Sequence, residues 1–102
     1  MQPILVSHKN ELSELCRRYA VKSLYLFGSA VGDDFNDQSD FDFLVSFQDA
    51  LDPVVYADNY FALKKELERL LGRRVDLITE RSLSNPYFIA DLEQTRQLLY
   101  AA

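Results

Sequence analysis

Apolar residues recur along this chain with two different periods, and the periods divide it into helices and strands. Leu12, Leu15, Cys16 and Tyr19 follow Ser7 at helical spacing. Ser7 is a residue type suited to an N-cap, so an amphipathic helix is predicted over residues 8–20. The stretch from Val21 to Phe27 contains SLYLF and ends at Gly28, the pattern of a strand running into a tight turn. Residues 28–39 are polar and carry Gly28, Gly32 and Asn36, which predicts a loop with one helical turn. In FDFLVSF, Phe41, Phe43, Val45 and Phe47 share one face of a strand, and Asp40, Asp42, Leu44 and Ser46 share the other. Pro53 then opens a long helix to Leu71, with Tyr56, Tyr60, Leu63, Leu67, Leu70 and Leu71 as its buried stripe and Gly72 at its C-terminal cap. Arg74 to Thr79 reads as a short strand. Asn85-Pro86 opens a last helix through the closing segment, with Phe88, Ile89, Leu92 and Leu99 inward. The predicted class is α+β, a small mixed sheet flanked by helices, in one domain over residues 1–102.

Composition narrows the classes of function. With 102 residues and 48% apolar content, the chain has material for one small core. No apolar run approaches the roughly 20 residues of a membrane helix, and the N-terminal MQPILVSHKNE lacks the pattern of a signal peptide. The single cysteine, Cys16, agrees with a reducing cytoplasm. A net charge of −5 disfavours binding to duplex phosphates, so no direct nucleic-acid contact and no membrane association are expected.

The chemistry concentrates in a few residues. Aspartate is depleted from strands, yet Asp40 and Asp42 stand at the mouth of the best strand, on one face, with Cα atoms roughly 6.5–7 Å apart. Two carboxylates so close repel unless a cation lies between them, and Mg²⁺ is held by few carboxylates together with water and substrate phosphate. Gly28-Ser29 follows the first strand directly. A glycine there lets backbone approach a ligand, the serine hydroxyl adds a donor, and backbone N–H groups at such a turn suit an anion. A third carboxylate, Asp76, lies between Val75 and Leu77 and faces away from both. Each feature alone has an ordinary structural explanation: a solvated pair, a common turn, an edge-strand side chain.

Taken together, Gly28-Ser29, nine residues, Ser39-Asp40-x-Asp42 and a later Asp76 resemble the G-S-x(9)-S-D-x-D signature of the minimal nucleotidyltransferases (MNT), in the polymerase-beta-like superfamily. FGSAVGDDFNDQSDFDFLV is similar to the core motif, LLGRRVDLIT to the strand of the third aspartate, and NPYFIADLEQTRQLLYAA to the closing helix. The resemblance implies the nucleotidyltransferase fold. It also implies a triphosphate held by Gly28 and Ser29 with Ser39 beside them, Mg²⁺ held by Asp40 and Asp42, and Asp76 completing the metal and catalytic set. Many such proteins carry arginine shortly after Gly-Ser. Here Ala30, Val31, Gly32, Asp33 and Asp34 follow, which leaves Lys22, Arg73 and Arg74 as candidates to neutralise the triphosphate tail.

The activity implied is Mg²⁺-dependent transfer of AMP from ATP to a hydroxyl. Proteins of this kind and length resemble the antitoxins of HEPN/MNT toxin–antitoxin pairs, where the acceptor is a tyrosine of the HEPN toxin. Two alternatives stand beside it. One is a non-catalytic module of the same fold that masks its partner by complex formation. The other is a small-molecule or tRNA nucleotidyltransferase, for whose acceptor-binding domain this length leaves no room. A calcium loop from Asp34 fails, because its sixth position is Ser39 and its twelfth is Val45. His8 and Cys16 make no zinc set. The cluster from Lys64 to Arg69 reads as a solvated helix face, and Tyr56 and Tyr60, with Phe61, as core rather than interface.

Overall fold

The computed structural model describes residues 2–32, 36 and 39–102. Two short helices, α1 (Pro3–Ser7) and α2 (Lys9–Arg18), open the chain where one helix from residue 8 was expected. Pro3 starts the first turn earlier, and the backbone bends at His8, with φ −107° and ψ 21°. Ser7 is therefore not an N-cap; its hydroxyl donates back to the Ile4 carbonyl at 3.1 Å. Leu5, fully buried, anchors α1 to the core.

Four strands follow the helices: β1 (Val21–Phe27), β2 (Phe41–Phe47), β3 (Val75–Thr79) and β4 (Gln97–Ala101). They lie in the order β3-β2-β1-β4. β1 is antiparallel to both its neighbours, whereas β2 and β3 are parallel and joined by α3 (Pro53–Leu71). The Asp52 carboxylate accepts from Val54 N–H at 2.9 Å to cap α3, and Gly72 ends it in the left-handed conformation, φ 65°. Between β1 and β2 the chain makes one 3₁₀ turn, Gly28–Val31, as the polar pattern predicts. Most of the following loop, residues 33–35 and 37–38, lies outside the described residues.

β4 corrects the sequence reading. The last helix, α4 (Pro86–Thr95), is capped by the Asn85 carboxamide, which accepts from Tyr87 N–H at 3.0 Å, but it stops at Arg96. From Gln97 the chain is extended, with Leu24 opposite Tyr100 and Tyr25 opposite Leu98. The free edge of β1 would otherwise present backbone donors and acceptors without partners. Leu99 thus packs against the core from a strand, and Phe88, expected inward, is 38% exposed.

The sheet has two unlike faces. On one, α2 and α3 contribute Leu12, Leu15, Cys16, Leu63, Leu67 and Leu71 to a core with Leu24 and Leu26 and the four-residue stripe Phe41, Phe43, Val45 and Phe47. Each such side chain contributes roughly 1.5–3 kcal/mol on burial, so this face dominates stability. A register shift between Val21 and Ser23 lets Val21 and Leu24 face the same side despite their odd spacing. The other face carries a smaller cluster, Phe27, Leu44 and Leu92, beneath α4. Asp42 and Asp76 lie on this second face.

Candidate functional site

Strand register brings the candidate residues together. Asp42 is opposite Phe27 on β1 and beside Asp76 on β3, so three strands contribute one row across the sheet. Neighbouring strands lie about 4.8 Å apart, which places Asp42 and Asp76 side by side. Gly28 is the next residue after Phe27 and has φ 74°. A Cβ there would collide with Asp42 Oδ2 and lie 3.1 Å from its Cγ. Glycine is required both by the backbone conformation and by the approach of the carboxylate. Behind this row stand Tyr25, Leu44 and Ile78, the apolar patch under α4, and the Phe88 ring meets Phe27 edge-on at 6.2 Å.

The electrostatics follow from that placement. Burial pushes the Asp42 carboxyl above the usual carboxylate range, and the charges of Asp76 and then Asp40 push it the same way. No ion pair found among the described residues includes any of these three aspartates. Nor do three metal-ligating side chains among the described residues form a ready-made cage. Among the described residues, negative charge thus gathers with no ion-paired counter-charge on these three aspartates. That donor set fits Mg²⁺, which binds through one or two carboxylates and completes its shell with water and substrate phosphate.

Ser29 is the second residue of the 3₁₀ turn, and its carbonyl accepts from Gly32 N–H at 3.2 Å. Ser39 is bonded twice to Asn36: its hydroxyl accepts from Asn36 N–H at 3.2 Å, and its own N–H donates to the Asn36 carbonyl at 3.0 Å. A hydroxyl can still donate while it accepts. No hydrogen bond or ion pair among the described residues joins the cationic candidates to the Gly28 turn. Lys22 sits at the far end of β1, about 16 Å from Phe27 by strand rise, and pairs with Asp49 at 3.7 Å. Arg73 donates to the carbonyls of Asn36 and Ser39, at 2.6 and 2.9 Å. The Arg74 side chain is exposed, while its carbonyl accepts from Phe41 N–H at 3.1 Å.

Sequence reasoning missed two contributors. The Tyr60 hydroxyl donates to the Leu77 carbonyl at 2.6 Å, tying α3 to the strand that carries Asp76. Burial first, and then the Asp76 charge, raises the Tyr60 phenol pKa. A tyrosine on an apolar helical stripe gives no signal of such a bond. Arg73, considered only as a phosphate ligand, instead binds backbone.

A mixed sheet with a glycine turn against one strand's carboxylate, and a second carboxylate in register beside it, is the arrangement expected of a nucleotidyltransferase. Comparison with known proteins agrees. The model of the nucleotidyltransferase domain family matches residues 8–99, and the chain belongs to that family. Protein adenylyltransferase MntA of Thermococcus cleftensis is 36% identical over 85 residues, covering 83% of this chain and 79% of that protein. A candidate protein adenylyltransferase of Methanocaldococcus jannaschii is 37% identical over 94 residues, covering 92% of this chain and 89% of its own. Among solved structures, a chain of a toxin–antitoxin crystallised with AMP-PNP superposes with a TM-score of 0.70 at 26% identity, covering 92% of this chain and 73% of that one. The protein is thus an enzyme of the minimal nucleotidyltransferase kind, and no helix among its described residues is long and apolar enough to cross a membrane.

Proposed function

We propose that this protein transfers AMP from ATP to a tyrosine hydroxyl of a HEPN-type toxin and thereby acts as its antitoxin. The observation that carries the reading is the row Asp42–Asp76 set against Gly28, which offers carboxylates for cations beside a turn suited to a triphosphate. The name protein adenylyltransferase on relatives 36% and 37% identical, and a structural neighbour that is a toxin–antitoxin bound to AMP-PNP, support the choice of AMP and of a protein acceptor.

In this reading Gly28 and Ser29 take the triphosphate through backbone and hydroxyl donors, with Ser39 as a further donor. Asp40 and Asp42 hold Mg²⁺, and Asp76 completes the set. Bound Mg²⁺ supplies charge neutralisation at the α-phosphate and at departing pyrophosphate. The acceptor oxygen attacks the α-phosphorus, the bond from that phosphorus to the bridging oxygen breaks, and pyrophosphate leaves. The acceptor proton passes to an Asp76 carboxylate oxygen.

The acceptor has to bring its own surroundings. Cavities of about 520 and 430 Å³ lie between α1, α2 and β4 and between α2 and α3, and neither is lined by the aspartates. A partner's surface would supply the remaining wall and the positive charge absent after Gly28-Ser29, and the net charge of −5 would steer a basic partner inward.

Mass spectrometry of the protein and a cognate HEPN-type partner after incubation with Mg²⁺–ATP tests the reading. One or more AMP groups on a partner tyrosine are expected, with negligible transfer by the isolated protein. A stable complex with an unmodified partner would overturn it in favour of a masking module.

A further inference from the structure

We infer that Arg73 is a positioning residue for Asp40, holding the segment that leads into the metal-binding pair. Asp40 and Asp42 are only two residues apart, yet they are fixed by different means. Asp42 is inside β2 and is located by its register with Phe27 and Asp76. Asp40 precedes β2: the peptide after it joins the ladder, Phe41 N–H donating to the Arg74 carbonyl at 3.1 Å, but among the described residues no strand pairing holds its N-terminal side. That side depends on Ser39, whose hydroxyl and N–H both bond Asn36.

Arg73 binds the same two residues. One guanidinium nitrogen donates to both the Asn36 and the Ser39 carbonyls, the second being the carbonyl of the residue before Asp40. The guanidinium also lies over the Phe41 ring, 5.7 Å from its centroid, on the other side of Asp40. One side chain thus grips the chain on both flanks of the aspartate. Its own base is fixed, because Gly72 caps α3 and Glu68 accepts from Val75 N–H at 3.0 Å, so Arg73 spans a rigid turn between α3 and β3. A lysine could provide charge but not the planar fork with its face on an aromatic ring.

The inference rests on Asp40 being a Mg²⁺ ligand. Loss of a group that orients a ligand typically costs 10–100-fold in metal affinity. Arg73→Ala should therefore raise the Mg²⁺ concentration for half-maximal AMP transfer by about 10-fold or more, with most of kcat recovered at saturating Mg²⁺. Arg73→Lys should fall between, and Arg69→Ala, which removes only the exposed pair with Glu66, should change nothing. Amide hydrogen exchange, read without nucleotide or metal, should quicken at Ser39 and Phe41 in Arg73→Ala while core strands keep their protection.

Combining Arg73→Ala with Asp40→Asn separates the roles. A positioning residue adds no further loss once Asp40 is gone, whereas a direct phosphate ligand adds its full loss. Additive losses, or weaker ATP binding without Mg²⁺, would overturn the inference, as would unchanged exchange with an unchanged Mg²⁺ requirement. If Asp40→Asn alone leaves the Mg²⁺ requirement intact, the metal assignment of Asp40 fails, and the inference with it.

Discussion

Gly28→Ala separates a merely unusual backbone from one built around a carboxylate, because the chain contains its own control. Gly28 and Gly72 both have positive φ, 74° and 65°. Alanine in that region costs about 1–2 kcal/mol at either position. At Gly72 a new Cβ meets nothing within 4 Å, so the cost stops there. At Gly28 it meets Asp42 Oδ2 and lies 3.1 and 3.3 Å from Asp42 Cγ and Cβ. The Asp42 side chain must move, and forcing extra volume into a packed site costs about 1–3 kcal/mol more. The totals are about 2–5 kcal/mol for Gly28→Ala against about 1–2 for Gly72→Ala. For a chain of this size each kcal/mol is about 4–8 °C of Tm, so Gly28→Ala should melt at least about 4 °C below Gly72→Ala. Thermal and urea denaturation of both variants measures this. A cycle with Asp42→Gly isolates the collision, since removing that side chain should return the cost of Gly28→Ala to the Gly72 value. Equal melting of the two alanine variants, or no coupling between positions 28 and 42, would refute the argument that Gly28 exists to admit Asp42.

Asp42→Asn should raise Tm at neutral pH while removing AMP transfer. The raised pKa of Asp42 means that its ionised form costs folding stability; the cost is absent below the ordinary carboxylate pKa of 3.8 and is incurred as pH rises through the raised value. Melts across pH 3 to 8 should therefore show the gain disappearing in acid, and a destabilised Asp42→Asn at neutral pH would contradict it. Asp76→Asn should cut turnover by about 10²-fold or more while Mg²⁺–ATP binding persists, as read by calorimetry beside single-turnover kinetics; full activity would remove Asp76 from proton transfer. Leu92→Ala should cost about 2–4 kcal/mol in urea denaturation, because Leu92 seals Phe27 and Leu44 beneath α4.

Local patterns decided much of this protein. β1, β2 and α3 occupy the predicted spans, since FDFLVSF alternates cleanly and Pro53 and Gly72 punctuate a long apolar stripe. The candidate chemistry was legible because Gly28-Ser29 and Asp40-x-Asp42 are close in sequence and form one pattern, although each alone has an ordinary structural explanation. The ends of the chain were not legible. QLLYA carries no period strong enough to separate strand from helix, and it becomes β4 because β1 has an open edge. The kink at His8 likewise depends on Leu5 reaching the core. The site itself was assembled only by tertiary structure. Register between β2 and β3 sets Asp42 beside Asp76, 34 residues later, and the turn after α3 carries Arg73 to the carbonyls of Asn36 and Ser39. A sequence names which groups can ligate or donate, because that is a property of each side chain. Which of them meet depends on strand pairing and helix packing between distant segments, and those are set by burying the whole core at once.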